Sequence, residues 1–321
     1  MDLEIRLDSG GATMADTDDR AQTFMLEHTR RAGEWMLLPI SEITAEASVE
    51  QILSKLMGPA KLLRKLQQQD EAQIVGSRLR LRLFPTEVID FVPNYGEPLD
   101  VLYEDDFCLV VSKRAGLPVH PHAPQQTNTL ANVLAAHYEA TGQYCRIRHI
   151  HRLDKDTTGP VLYAKNEWAQ LVLDEAMRHK QIQRQYVAVV QGLMRDNHGT
   201  INAPIGRDRH HAQRRRVSPT GESAVTHYEV LERYAQHTLI RLQLETGRTH
   251  QIRVHLASIG HPLVGDMLYG GDQTWIDRQA LHGCTLAFAH PWSSKFTSIE
   301  APWPNDFAQL TQKLATSRPK M

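Results

Sequence analysis

The stretch THYEVLERYAQHTLIRLQLE, residues 226–245, reads as two strands, Thr226 to Arg233 and Thr238 to Glu245, parted by four residues. Long strands joined this closely pair antiparallel, because parallel neighbours need a crossover of about a dozen residues or more. A third long strand, Gln185 to Gln191, precedes them. Further upstream, Phe107 to Val111 is a buried-strand run and Pro160 to Ala164 another strand. Asn128 to His137 is helical, with Leu130, Val133 and Leu134 on one face, and Glu167 to Lys180 has the period of an amphipathic helix. Strands in succession with helices packed on them indicate an α+β fold, a mainly antiparallel mixed sheet flanked by helices.

The chain has 321 residues, enough for a large domain and a smaller one. Residues 1–22 carry Asp2, Glu4, Asp8, Asp16, Asp18 and Asp19 and read as a flexible polar tail without the apolar stretch of a signal peptide. From about 48, Val49, Ile52, Leu53 and Leu56 share a helical face, which Gly58-Pro59 interrupts. A second short helix carries Leu62, Leu63 and Leu66, and RLRLRL at 78–83 alternates as a strand does. Residues 23–95 are therefore assigned to a small N-terminal domain and 96–321 to the larger one.

Composition is that of an ordinary globular protein, with 41% hydrophobic and 23% charged residues. No apolar run approaches the roughly 20 residues that cross a bilayer. Cys108, Cys145 and Cys284 are odd in number and widely spaced, which fits a reducing, cytoplasmic compartment. The net charge of −1 hides two basic stretches: Arg146, Arg148, Arg152 and Lys155, and then Arg207, Arg209, Arg214, Arg215 and Arg216. Local density is what a polyanion feels, because screening limits the reach of charge to about 8 Å at physiological salt.

The most informative segment is His151-Arg-Leu-Asp-Lys-Asp-Thr-Thr-Gly159. Asp154 lies here among Arg148, Arg152 and Lys155, and cations favour the ionised carboxylate that a nucleophile requires. Taken alone, the segment also fits a salt bridge at a surface turn. Together with three other stretches it resembles the RluA-like pseudouridine synthases. His-Arg-Leu-Asp followed by Thr-Thr-Gly is similar to that family's catalytic signature. Tyr103-Glu-Asp-Asp-Phe-Cys-Leu-Val-Val-Ser-Lys113, continuing to Pro121, is similar to its first block. Gln185-Tyr-Val-Ala-Val-Val-Gln-Gly192 and Glu245-Thr-Gly-Arg-Thr-His-Gln-Ile-Arg-Val-His-Leu-Ala257 resemble two more, in the same order.

The resemblance, which spans about 100–300, implies an RNA pseudouridine synthase that works without cofactor or metal. It implies Asp154 as the catalytic carboxylate, Arg253 as its partner and Tyr186 as the residue stacked on uracil. Arg152 would fill the space left by the extracted base, and His151 and Arg248 join it in contacting RNA. The basic loop with Arg207, Arg209, Arg214, Arg215 and Arg216 would bind phosphates without reading sequence. Ribosomal RNA is the family's commonest substrate and transfer RNA another, and a monomer suffices for either. Two departures leave the catalytic trio untouched: Lys113-Arg114 replaces the usual Lys-Pro, and Thr158 stands where serine is common. The N-terminal unit resembles a degenerate alpha-L RNA-binding motif, with Pro85-Thr86 in place of its Gly-Asp.

Other readings compete. Asp154-Lys-Asp-Thr-Thr fits the D-x-D-x-T pattern of aspartate phosphotransferases, with Asp266 as a magnesium-holding acid, but the run-in to Asp154 is basic rather than an apolar strand. The seventeen histidines invite a metal site, yet the i, i+4 spacing of helical zinc ligands is absent, and most are expected to be exposed, capping or RNA-facing. A catalytically silent RNA-binding protein has no need of Asp154, Tyr186 and Arg253 together.

Overall fold

The computed structural model describes residues 28–40, 47–56, 58–123 and 125–316. The tail expected over 1–22 lies outside them. Contacts divide the chain into two compact units, the first ending at Thr86 and the second beginning at Glu87. The segment 87–95, assigned from sequence to the small domain, bonds within the larger unit: the Glu87 amide donates to the Tyr144 carbonyl, and that of Asn94 to Asn132.

The smaller unit has more strand than the sequence pattern suggests. Strands β1 (Arg30–Ala32), β2 (Trp35–Pro39), β3 (Ala72–Val75) and β4 (Arg78–Leu81) form an antiparallel sheet ordered β1-β2-β4-β3. Helices α1 (Val49–Lys55) and α2 (Ala60–Gln68) bury Ile52, Leu53, Leu62, Leu63 and Leu66. The Ser48 hydroxyl accepts from the Gln51 amide while the Gln51 side chain accepts from the Ser48 amide, a capping box that starts α1. Along β4 the alternation holds: Leu79 and Leu81 are buried and Arg80 lies over the Trp35 ring at 4.4 Å.

The larger unit carries two main sheets. One is ordered β5 (Val101–Glu104), β6 (Cys108–Lys113), β8 (Gly159–Ala164), β7 (Arg148–His149) and is covered by α3 (Leu130–Ala140). The other has six strands ordered β10 (His198–Asn202), β13 (Val225–Arg233), β14 (His237–Leu244), β9 (Gln183–Gln191), β15 (Leu281–Ala289), β16 (Phe296–Glu300). Every named strand pair is antiparallel, as the 226–245 hairpin predicts. Between β10 and β13, β11 (Ile205–Arg207) and β12 (Arg215–Val217) form a small hairpin. Helix α4 (Glu167–Arg178) follows β8, and its N-terminus is capped by the Asn166 side chain accepting from the Ala169 amide.

Both faces of β9 are buried, which is why its centre reads as a continuous apolar run. Tyr186, Ala188 and Val190 pack toward Ile252 and Leu256 of α5 (Gln251–Ser258), and Val187 and Val189 toward Phe307 and Leu310 of α6 (Asn305–Thr316). The two sheets meet at the Thr-Thr-Gly of the signature. The Gly283 amide donates to the Thr158 carbonyl at 2.8 Å, and the Thr158 hydroxyl bonds His282 Nδ1 at 2.9 Å. Gly159 has φ +126°, and a Cβ there would lie 2.4 Å from the Gly283 carbonyl oxygen. Only glycine fits that joint.

Candidate active site

Asp154 sits in the turn between β7 and β8, beside the joint of the sheets. Its neighbour Leu153 packs against the apolar clusters of both sheets, which anchors the turn from below. Two buried cations hold its backbone. Lys113 Nζ donates to the Lys155 carbonyl at 2.7 Å, and Arg278, paired with Asp306, donates to that of Asp156 at 3.3 Å. Burial lowers the Lys113 pKa to about 7. The Thr157 amide donates to the Asp154 carbonyl at 3.1 Å and tightens the turn.

The partner of Asp154 comes from α5. Arg253 directs Nε and Nη2 onto the two oxygens of Asp266, at 2.7 and 2.9 Å, and Nη1 onto Asp154 Oδ2 at 3.1 Å. A bidentate fork fixes the plane of a guanidinium, so the third donor is aimed without freedom to turn away. Asp154 Oδ1 is left uncommitted among the described residues. The Asp266 side chain is 1% exposed, whereas that of Asp154 is 26% exposed and open to a substrate. Burial opposes the Arg253 charge, but the two carboxylates outweigh it and raise its pKa.

A second chain of contacts reaches the same carboxylate. Tyr269 Oη accepts the Arg215 amide hydrogen at 2.9 Å and lies 2.9 Å from His250 Nδ1. The Tyr269 hydroxyl thus joins the Arg215 backbone to the His250 ring. Burial lowers the His250 pKa and keeps the ring neutral, with Nε2 3.9 Å from Asp154 Oδ2. The Arg253 guanidinium lies 5.0 Å from the Tyr269 ring centre and that of Arg214 lies 5.5 Å from it. Thus the basic hairpin is fastened by its backbone to the residues around Asp154.

Tyr186, on β9, is 5% exposed, and its hydroxyl bonds no described residue. Burial raises its pKa, and the Asp154 charge adds to the rise, so the phenol stays protonated at neutral pH. Arg152, Arg207, Arg209 and Arg216 are exposed, and Arg214 and Arg215 half-buried. Arg248 is exposed but engaged, with Glu222 at 2.6 Å and the Ser223 carbonyl at 3.0 Å.

Several sequence expectations need correction. His151 is 5% exposed, not on an RNA-facing surface; its Nε2 accepts the Leu162 amide, and burial lowers its pKa to about 3. Arg148, expected to surround Asp154 with charge, pairs with Glu87. Asp266, considered as a magnesium-holding acid, is committed to Arg253. Many histidines are structural: His255, fully buried, bridges Thr226 Oγ1 and the Ala203 carbonyl. Asp266 was weighed only as a metal-holding acid, His250 lay inside a quoted block without being singled out, and Tyr269 carries no local mark, so all three were missed as partners of Asp154 and Arg253.

Among the described residues, Asp105, Cys108 and His290 bring possible metal-ligand atoms within 4.8 Å of one another. Their lone pairs are taken. Asp105 accepts from Tyr103 and His290, both at 2.7 Å, and from the Phe107 and Cys108 amides, and His290 Nδ1 accepts from the Trp292 amide. Burial and the Asp105 charge push the Cys108 thiol well up, away from the thiolate a metal binds. It is a polar clasp at the end of β6.

Comparison with known proteins gives a consistent picture. A family model described as RNA pseudouridylate synthase matches residues 107–258. The uncharacterized RNA pseudouridine synthase YhcT of Bacillus subtilis (strain 168) is 48% identical over 237 residues, 73% of this chain and 78% of the relative. Ribosomal large subunit pseudouridine synthase D of Vibrio cholerae is 42% identical over 231 residues, 68% of this chain and 71% of that protein. Among solved structures, human RNA pseudouridylate synthase domain containing 4 superimposes with a TM-score of 0.56 at 25% identity, covering 67% of this chain and 92% of that one. Among the described residues no helix is long and apolar enough to cross a membrane.

Proposed function

Because this chain belongs to the RluA-like family of RNA pseudouridine synthases, isomerising uridine to pseudouridine in RNA, we propose that Asp154 is its catalytic carboxylate, held by Arg253 and served by Tyr186. The observation that carries this reading is the single N–H aimed at Asp154 by a guanidinium locked on Asp266. In the reaction the bond from uracil N1 to the ribose breaks, the base turns, and C5 is joined to the ribose as its proton leaves. The carboxylate attacks the ribose or uracil C6, or assists a glycal route. Each route needs an oriented carboxylate beside the glycosidic bond, which the uncommitted Oδ1 supplies. Tyr186 stacks on the base and serves in proton transfer. The family membership displaces the phosphotransferase reading of Asp154-Lys-Asp-Thr-Thr.

The substrate we assign is ribosomal RNA, following the name of the Vibrio relative, a ribosomal large subunit pseudouridine synthase. The protein acts as a cytoplasmic monomer. Phosphates are met by the hairpin of β11 and β12, where Arg207 and Arg215 stand directly opposite. Like charges so placed oppose pairing, and a bound polyanion removes the penalty. Arg152, exposed two residues from Asp154, enters the stack in place of the extracted uridine, a step that costs a few kcal/mol. The test is tritium release from RNA labelled at uridine C5, taken from cells lacking this gene, with wild type and Asp154→Asn compared. Release by wild type alone supports the assignment; release by both removes Asp154 from the chemistry.

A further inference from the structure

Arg184 lies on β9 two residues before Tyr186, so both side chains leave the sheet on one face, the face of α5 and Leu153. It is 9% exposed, its Nε has no hydrogen-bond partner, and no described residue bonds or pairs with its guanidinium. Other buried arginines of this unit behave differently. Arg253 and Arg278, each 8% exposed, carry a full fork on Asp266 and Asp306. A buried charge without a counter-charge is costly, and a sequence that retains one leaves a place for an anion that the free protein does not supply.

Its surroundings say where that anion arrives. The guanidinium lies under Gly247, in the turn from β14 to α5: a Cβ there would come within 2.9 Å of Nη1 and 3.4 Å of Nη2. Gly247 is exposed, so this end of the side chain reaches the surface beneath a residue that has no side chain to cover it. The same turn leads through Arg248 to His250, which faces Asp154. The charge of Arg184 is felt at both Tyr186 and His151, so the guanidinium lies within electrostatic reach of both.

We propose that Arg184 is a phosphate-binding residue, whose fork takes the oxygens of an RNA phosphodiester at or next to the uridine held between Asp154 and Tyr186. This rests on the active-site reading above. A guanidinium fork matches two phosphate oxygens, and the contact forms only when the strand is seated in the cleft.

The experiment uses the full chain and an RNA from which the wild type releases tritium, with Arg184→Met and Arg184→Lys as variants. Urea unfolding of the free protein is expected to show Arg184→Met as stable as the wild type or more so. Its RNA affinity is expected to fall about tenfold, with the slope of log affinity against log salt shallower by about 0.7–0.9. Arg184→Lys, a point charge without the fork, recovers the slope and part of the affinity. Unchanged affinity and slope in Arg184→Met would overturn the proposal. So would a marked loss of stability in both variants, which means that the free protein already holds the guanidinium. Because binding is read apart from turnover, turnover retained by Asp154→Asn would sink the active-site reading alone.

Discussion

Asp154 and Asp266 share one guanidinium, and asparagine at each position is expected to act in opposite ways. Asp266 is almost fully buried and takes two N–H groups of Arg253, at 2.7 and 2.9 Å. Asp266→Asn keeps one oxygen, turns an amide NH2 toward a group that can only donate, and leaves a buried cation short of charge. Breaking such a pair costs about 3–5 kcal/mol. Asp154 is 26% exposed and takes one bond at 3.1 Å. In Asp154→Asn the fork on Asp266 persists and the amide oxygen still accepts from Nη1, so the loss is roughly 1 kcal/mol or less. The stability gap between the two variants is then roughly 2–4 kcal/mol. Turnover runs the other way. Asp154→Asn abolishes tritium release, because a neutral amide supplies no nucleophile, while Asp266→Asn keeps the carboxylate but loosens its aim and slows release about 10–100-fold. Urea unfolding, with matching m-values, and tritium release on the same preparations measure both sides. Equal destabilisation by the two substitutions would refute the division of labour and make Asp154 a structural partner of Arg253.

Gly159→Ala places a Cβ 2.4 Å from the Gly283 carbonyl oxygen at φ +126°, and a loss of roughly 3 kcal/mol or more is expected in thermal or urea unfolding. Lys113 is neutral when folded above about pH 7 and protonated when unfolded up to its ordinary 10.5. The unfolded state therefore binds the extra proton between these values, and the stability that Lys113 withholds returns as pH rises. Wild type is expected to gain on Lys113→Met by at most about 1.4 kcal/mol per pH unit across that window, read by urea unfolding; a flat difference would refute it. Tyr269→Phe removes the hydroxyl that accepts the Arg215 amide and bonds the His250 ring. Tritium release should slow about tenfold with RNA affinity within about threefold of wild type, whereas an equal fall in both would assign Tyr269 to RNA docking.

Much of the site was legible wherever neighbouring residues carry it. Asp154, Tyr186 and Arg253 each sit inside a contiguous motif, and the structure pairs two of them across 99 residues. The exposed arginines of the β11–β12 hairpin were legible as a run of charge. His151 was misread because a histidine in a motif that resembles a catalytic signature looks functional, whereas the β7–β8 connection turns its ring inward onto the Leu162 amide. Arg148 was misread because the acid that neutralises it, Glu87, is 61 residues away. Strands β1 to β3 escaped notice because they are short and half-exposed, with no sustained alternation.

By itself the sequence determined the fold class, helices α1 to α4 and the long antiparallel strands, and it marked the three residues proposed here for catalysis. These depend on period, turn residues and motif spacing, which are local. The tertiary structure alone decided that Asp266 locks Arg253, that Tyr269 holds His250 beside Asp154, and that Thr158 and Gly159 weld two sheets. It also decided which cations remain unpaired, as Arg184 does. Hydrogen-bond partners and counter-charges act over about 3 Å through space, a distance unrelated to separation along the chain.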